Sequence, residues 1–256
     1  SDVPAVHQRG NAYLSHFWNA LSIMAPTTER VAIRVLRNAR KKVSDPKLVE
    51  DIDAFLAQEG LHTREHRRLN KRLAELGYDC REAVAAADRA VDDYLDQVDQ
   101  PSAIALIIAG EHIIYALCRV LLNEDALDGM HPEVRRLLEW HALEEMEHQS
   151  VAHDVYVHLY GDGPAHWLRR ARGLRDGFRI LSDMSRGISR ELLGRQPKPS
   201  RSELREFLAF MTLSPGYAWR VLEITLKFLV PGYAPWRNPG DLPMIRSTLE
   251  ELDMAA

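Results

Sequence analysis

His141, Glu145 and His148 form a His-x3-Glu-x2-His pattern. In a helix, with about 100° per residue, the three fall within an arc of roughly 60°, so one face offers two imidazoles and a carboxylate to a single point. A second Glu-x2-His lies at Glu59 and His62, and lone glutamates precede each pair at Glu29 and Glu111. One glutamate from each of two helices and a Glu-x-x-His from each of two others make the donor set of a carboxylate-bridged two-metal centre. His141 is an addition to that set. Four carboxylates with three imidazoles suit iron or manganese and, less selectively, zinc.

The elements that must position these residues can be read from the turns. The midpoint of positions 29 and 59 is 44, where Ser44-Asp45-Pro46 signals a turn, and the midpoint of 111 and 145 is 128, beside Asp128-Gly129 and His131-Pro132. Two antiparallel hairpins would therefore set glutamate level with glutamate. The spacing predicts an all-α four-helix bundle with helices near 27–43, 47–76, 102–123 and 133–160. Pro26 is expected to interrupt the chain, leaving a loose arm over 1–10, a short apolar helix over 11–24, and Glu29 in the first turn of the next helix. A polar helix over 82–98 is the expected crossover between hairpins. Helices over 165–194 and 202–230, the latter broken at Ser214-Pro215-Gly216, are expected to cover the bundle and to supply a substrate entrance or homodimer contact. The whole reads as a single helical domain: 1–26 arm and short helix, 27–163 bundle, 164–256 cover.

Neighbours of the seven candidate ligands have expected places too. His66 shares the face of Glu59 and His62, Glu144 lies close enough in angle to Glu145 to be a hydrogen-bond partner, and His112 points about 100° away from Glu111. These three are candidates for contacts around the ligands. No catalytic residue beyond the ligands is expected. Gly60, inside a helical pattern, suggests close packing beside the site.

Composition narrows the setting. Of 256 residues, 46% are apolar and 27% charged with a net charge of −4, which gives no electrostatic reason to expect a nucleic acid or an anionic membrane as partner. Two cysteines, Cys80 and Cys118, are too few for a disulfide framework or a cysteine-based zinc site. With no secretory signal visible, the cytoplasm is the expected location. The apolar run over 103–122 has the length of a membrane span, yet it carries Glu111, His112 and Arg119 and reads better as a buried helix than as a transmembrane segment.

The stretches Pro26-Thr27-Thr28-Glu29-Arg30, Gln58-Glu59-Gly60-Leu61-His62-Thr63-Arg64-Glu65-His66 and Glu145-Met146-Glu147-His148 resemble the ferritin-like proteins described as predicted metal-dependent hydrolases. The ligand spacing, with His141 as the added histidine, is also similar to that of the di-iron arylamine N-oxygenases. The first resemblance implies a ferritin-like fold; the second implies a reaction class. Together they lead to a non-haem di-iron oxidoreductase that uses two iron ions, O2 and an external electron donor to oxidise a small organic substrate. A dinuclear hydrolase using a metal-bound hydroxide, with manganese or zinc in place of iron, is the alternative, and iron storage or a silent scaffold is a third reading. Glu59 and Glu145 are expected to bridge the ions, Glu29 and His62 to complete one, and Glu111, His141 and His148 the other.

Overall fold

A computed structural model describes residues 2–123, 125–148, 150–195 and 198–235, without the side chains of 123, 147 and 148. Along the chain lie α1 (Ala12–Arg40), α2 (Pro46–Glu75), α3 (Arg81–Gln97), α4 (Gln100–Asn123), α5 (Pro132–His148), α6 (Val151–Tyr160), α7 (Pro164–Gly194), α8 (Arg201–Thr212) and α9 (Tyr217–Lys227). A 3₁₀ turn, Asp125–Leu127, joins α4 to α5. The protein is an all-α bundle, and no named strand occurs among the described residues. Positions 236–256 of the expected cover lie outside the described residues.

Capping explains where the first hairpin turns. The Asp45 carboxylate accepts the N–H groups of Lys47 and Leu48, and Pro46 occupies the first helical turn, where a missing N–H costs nothing. α1 and α2 leave this turn packed along one another, with Leu36, Ala39, Ile52 and Phe55 almost fully enclosed between them and their neighbours.

The expectation that Pro26 ends a helix is corrected: α1 runs through it. Proline cannot donate to the carbonyl four residues back, and here the Asn70 amide on α2 donates to the Ser22 carbonyl instead, at 2.9 Å. Glu29 consequently sits well inside α1 rather than in a first turn. The arm before α1 is not loose either. Ser15 Oγ accepts the N–H groups of His7 and Gln8 at 3.0 and 2.9 Å, and Gln8 Nε2 donates to the Ala126 carbonyl at 2.8 Å. The helix expected over 133–160 is two helices, α5 and α6, although no glycine or proline marks their division.

α4 occupies the centre, packed against α1, α5, α6, α7 and α9. It is the one helix among the described residues long and apolar enough to cross a membrane, and 78% of its apolar window is buried inside the bundle. Its contact with α7 is close: a Cβ on Gly173 would lie 2.5 Å from the Ala105 carbonyl oxygen, so only glycine permits this approach. α3 bridges the hairpins as expected and is pinned to α1 by Arg30 and Arg34, which reach Asp88, Asp92 and Asp96.

Candidate metal centre

α1, α2 and α5 bring Glu29, Glu59, His62, His141 and Glu145 together. Glu59, His62 and Glu145, all buried, offer donor atoms within 4.8 Å of one another, and so do Glu29, His62 and His141. His62 belongs to both groups. Its Nδ1 lies 3.3 Å from Glu145 and 3.9 Å from Glu59, while its Nε2 meets Glu144 at 2.9 Å. The second group joins His141 to Glu29 and His62, whereas the hairpin pairing had assigned it to Glu111. Glu111, buried on α4, stands instead with Glu29 and Glu59 on the wall of a neighbouring cavity. The side chain of His148 lies outside the described residues.

The surroundings define an anionic cage that calls for a cation. Burial, with Glu59 and Glu145 adding repulsion, pushes the Glu29 carboxyl up to about 8 even though the Thr63 hydroxyl donates to it. Glu29 Oε1 is buried and has no hydrogen-bond partner among the described residues. Burial alone would depress the His62 imidazole, but the Glu145 and Glu59 carboxylates facing its Nδ1 outweigh it and raise its pKa to about 10. In the metal-free protein, then, protons stand where positive charge is wanted.

A hydrogen-bond chain fixes which nitrogen of His141 faces the cage. Asn70 Nδ2 is committed to the Ser22 carbonyl, so Asn70 Oδ1 accepts the Ser22 hydroxyl at 3.0 Å. Ser22 Oγ can then only accept from His66 Nδ1, 2.9 Å away. Burial, reinforced by His141, holds His66 well below its ordinary pKa, so it is neutral and its Nε2 accepts from His141 Nδ1 at 3.2 Å. His141 Nε2 is thereby aimed at Glu145, 3.4 Å away, and a proton or a metal ion must stand between the two. His62 has the same design, since Glu144 accepts from its Nε2 and turns Nδ1 inward. Metal-binding histidines characteristically donate their other ring nitrogen in this way.

Of the three outer candidates, His66 and Glu144 are thus in contact with the cluster and His112 is not. His112 Nε2 meets the Ile224 carbonyl, its Nδ1 meets the Tyr233 hydroxyl, and its ring stacks on Phe228. Gly60 is exposed, with open space where its Cβ would be, so no close packing accounts for it. Thr63, Ser22 and Asn70 escaped the sequence reading. Glu59, Thr63, His66 and Asn70 follow at i, i+4, i+7 and i+11, so extending the face of α2 beyond His66 would have found Asn70.

Two cavities adjoin the cluster. One, about 450 Å³, is lined by Arg64, Arg68, Arg72 and Arg136, by Glu65 and Glu133, and by Trp140, whose ring meets His62 edge-on. The other, about 60 Å³, is apolar and reaches Glu29, Glu59 and Glu111.

An all-α bundle that gathers buried glutamates and histidines from several helices defines a class of candidate metalloproteins. Residues 1–238 match the family described as predicted metal-dependent hydrolase, and the chain belongs to that family. Neither a curated protein nor a solved structure matches it, so the similarity to the arylamine N-oxygenases gains no support.

Proposed function

We propose that the chain is a metal-dependent hydrolase with a two-ion centre held by Glu29, Glu59, His62, Glu111, His141, Glu145 and His148. The observation that carries this reading is the cage of buried carboxylates in which His62 and His141 each turn one nitrogen inward, oriented by Glu144 and His66. Glu59 and Glu145 share His62 between them and would hold the ions together with it. Divalent ions bound here would acidify water and polarise a carbonyl or phosphoryl oxygen.

The protein's own groups complete the arrangement. Glu144, about a quarter exposed, connects the buried His62 to the rim. Thr63 orients Glu29 and leaves its second oxygen for a cation. Both cysteines are buried, and burial pushes Cys80 up to about 11 and Cys118 well above its ordinary value, so neither supplies a thiolate and attack falls to water.

The test is turnover of p-nitrophenyl esters and phosphate esters under argon by chain loaded separately with zinc, manganese or iron. Anaerobic turnover that a chelator abolishes and added metal restores is the expected result. A second reading, oxidation of a small organic substrate by two iron ions and O2 with an external electron donor, is favoured by the apolar cavity at the carboxylates. It prevails if ester and phosphate turnover are absent while iron-loaded protein consumes O2 in the presence of a reductant.

A further inference from the structure

The apolar cavity lies between α1, α2, α3, α4 and α7 and shares no wall residue with the arginine-lined cavity beside Trp140. Its walls include Val31, Val91, Ile107, Ile114, Ile180 and Met184, and its inner end is formed by Glu29, Glu59 and Glu111. Among the described residues the only other polar side chains on the wall are already engaged: the Thr27 hydroxyl donates to Asp88 and the Thr28 hydroxyl to the Ala25 carbonyl. A ligand therefore meets hydrocarbon along its length and carboxylate at one end.

Gly110 on α4 is a second, independent observation. Glycine inside a helix costs about 1 kcal/mol relative to alanine, so its presence in a core helix calls for a reason. The contrast with Gly173 is informative, because Gly173 is required by the α4 to α7 contact, whereas a Cβ on Gly110 would meet nothing within 4 Å. Gly110 lines the cavity one residue before Glu111. What its missing side chain provides is room.

We propose that this cavity holds an unbranched aliphatic arm of the substrate, with the reacting group placed at the Glu29, Glu59 and Glu111 end. The cavity is small, about 60 Å³, which admits the end of a linear chain and excludes a polycyclic body. Thr28, Gly110, Ile114, Ile180 and Leu181 are only half-buried and mark the open side through which the arm enters. The placement of the reacting group rests on the metal-centre reading above; the affinity for an aliphatic arm does not.

The experiment measures binding of neutral 1-alkanols, from butanol to octanol, to the full chain with and without zinc. Saturable one-to-one binding should tighten roughly threefold to fourfold per added methylene until the chain fills the cavity. 1-Adamantanol should not bind. Gly110→Leu should weaken octanol binding at least tenfold without lowering the melting temperature, because leucine is the better helix former and has open space to enter. Leu181→Trp, which closes the mouth from a half-buried position, should do the same and decides the matter if Gly110→Leu fails to fold. Octanol binding that is not saturable, that is unchanged in a folded blocked variant, or that adamantanol matches would overturn the proposal. Octanol binding that follows these expectations in a chain that takes up no metal would uphold the cavity and sink the metal centre instead.

Discussion

At the residue scale, the proposed ligands should divide into those that hold the ions and those that tune them. Glu145 approaches both His62 and His141, at 3.3 and 3.4 Å, so it ties the two groups together. In metal-saturating buffer, Glu145→Ala should lose most of the bound metal and lower the thermal midpoint by roughly 5–10 °C, since ion binding contributes to folding. His141→Ala leaves the other six candidate ligands and should keep more than half of the metal while turnover falls sharply. Metal per chain decides it: if His141→Ala empties the site as fully as Glu145→Ala, the tuning role is wrong. His66 acts one step further out. Replacing it with leucine removes the acceptor that orients His141 and should weaken metal binding roughly 10- to 100-fold. His66→Gln, which can still accept from His141 and donate to Ser22, should recover part of that loss, whereas a purely space-filling role predicts no recovery.

At the element scale, the same chain of hydrogen bonds reaches back to the proline in α1. Pro26 leaves the Ser22 carbonyl to be satisfied by Asn70, whose other end fixes Ser22 and through it His66. Asn70→Ala should cost about 1–3 kcal/mol, the range for stranding a buried acceptor. In a Pro26→Ala background the new backbone N–H at position 26 takes that carbonyl, and the cost of losing Asn70 should shrink by roughly 1 kcal/mol. Additive effects in urea denaturation would show that the carbonyl is not the link. This network also explains what the sequence concealed. Periodicity and the turns at Ser44-Asp45-Pro46 and Asp128-Gly129 expose both hairpins, and the i+3 and i+4 spacings expose the faces of α2 and α5. Reading Pro26 as a break hid the continuity of α1, and with it Ser22, which lies on the helical face of Glu29 seven residues earlier. The N-terminal arm was hidden for a different reason, because its anchor, Gln8 to the Ala126 carbonyl, joins positions 118 residues apart and leaves no periodic trace.

At the scale of the whole molecule, stability should depend on pH in two opposed ways. His7, His16 and His112 are buried, and burial is the first cause that lowers each to about 4 from an ordinary 6.5. The unfolded chain takes up these protons near pH 6.5 and the folded chain does not until about pH 4, so their contribution is complete above 6.5 and is lost as pH falls through that window. Glu29 and His62 have the opposite sign. Their folded values of about 8 and about 10 lie above the ordinary 4.5 and 6.5, so the stability they contribute is lost as pH rises through those folded values. Metal-free protein should therefore lose stability on both sides of neutrality, with its urea midpoint falling from pH 6.5 towards 4.5 and again from pH 7 towards 10. The acid limb lies in the core and belongs to the fold. The alkaline limb belongs to the cage, and ions that replace the protons on Glu29 and His62 should flatten it. Urea midpoints measured across pH 4.5–10 with and without zinc test this: an alkaline limb equally steep in both would mean that the cage does not hold the metal.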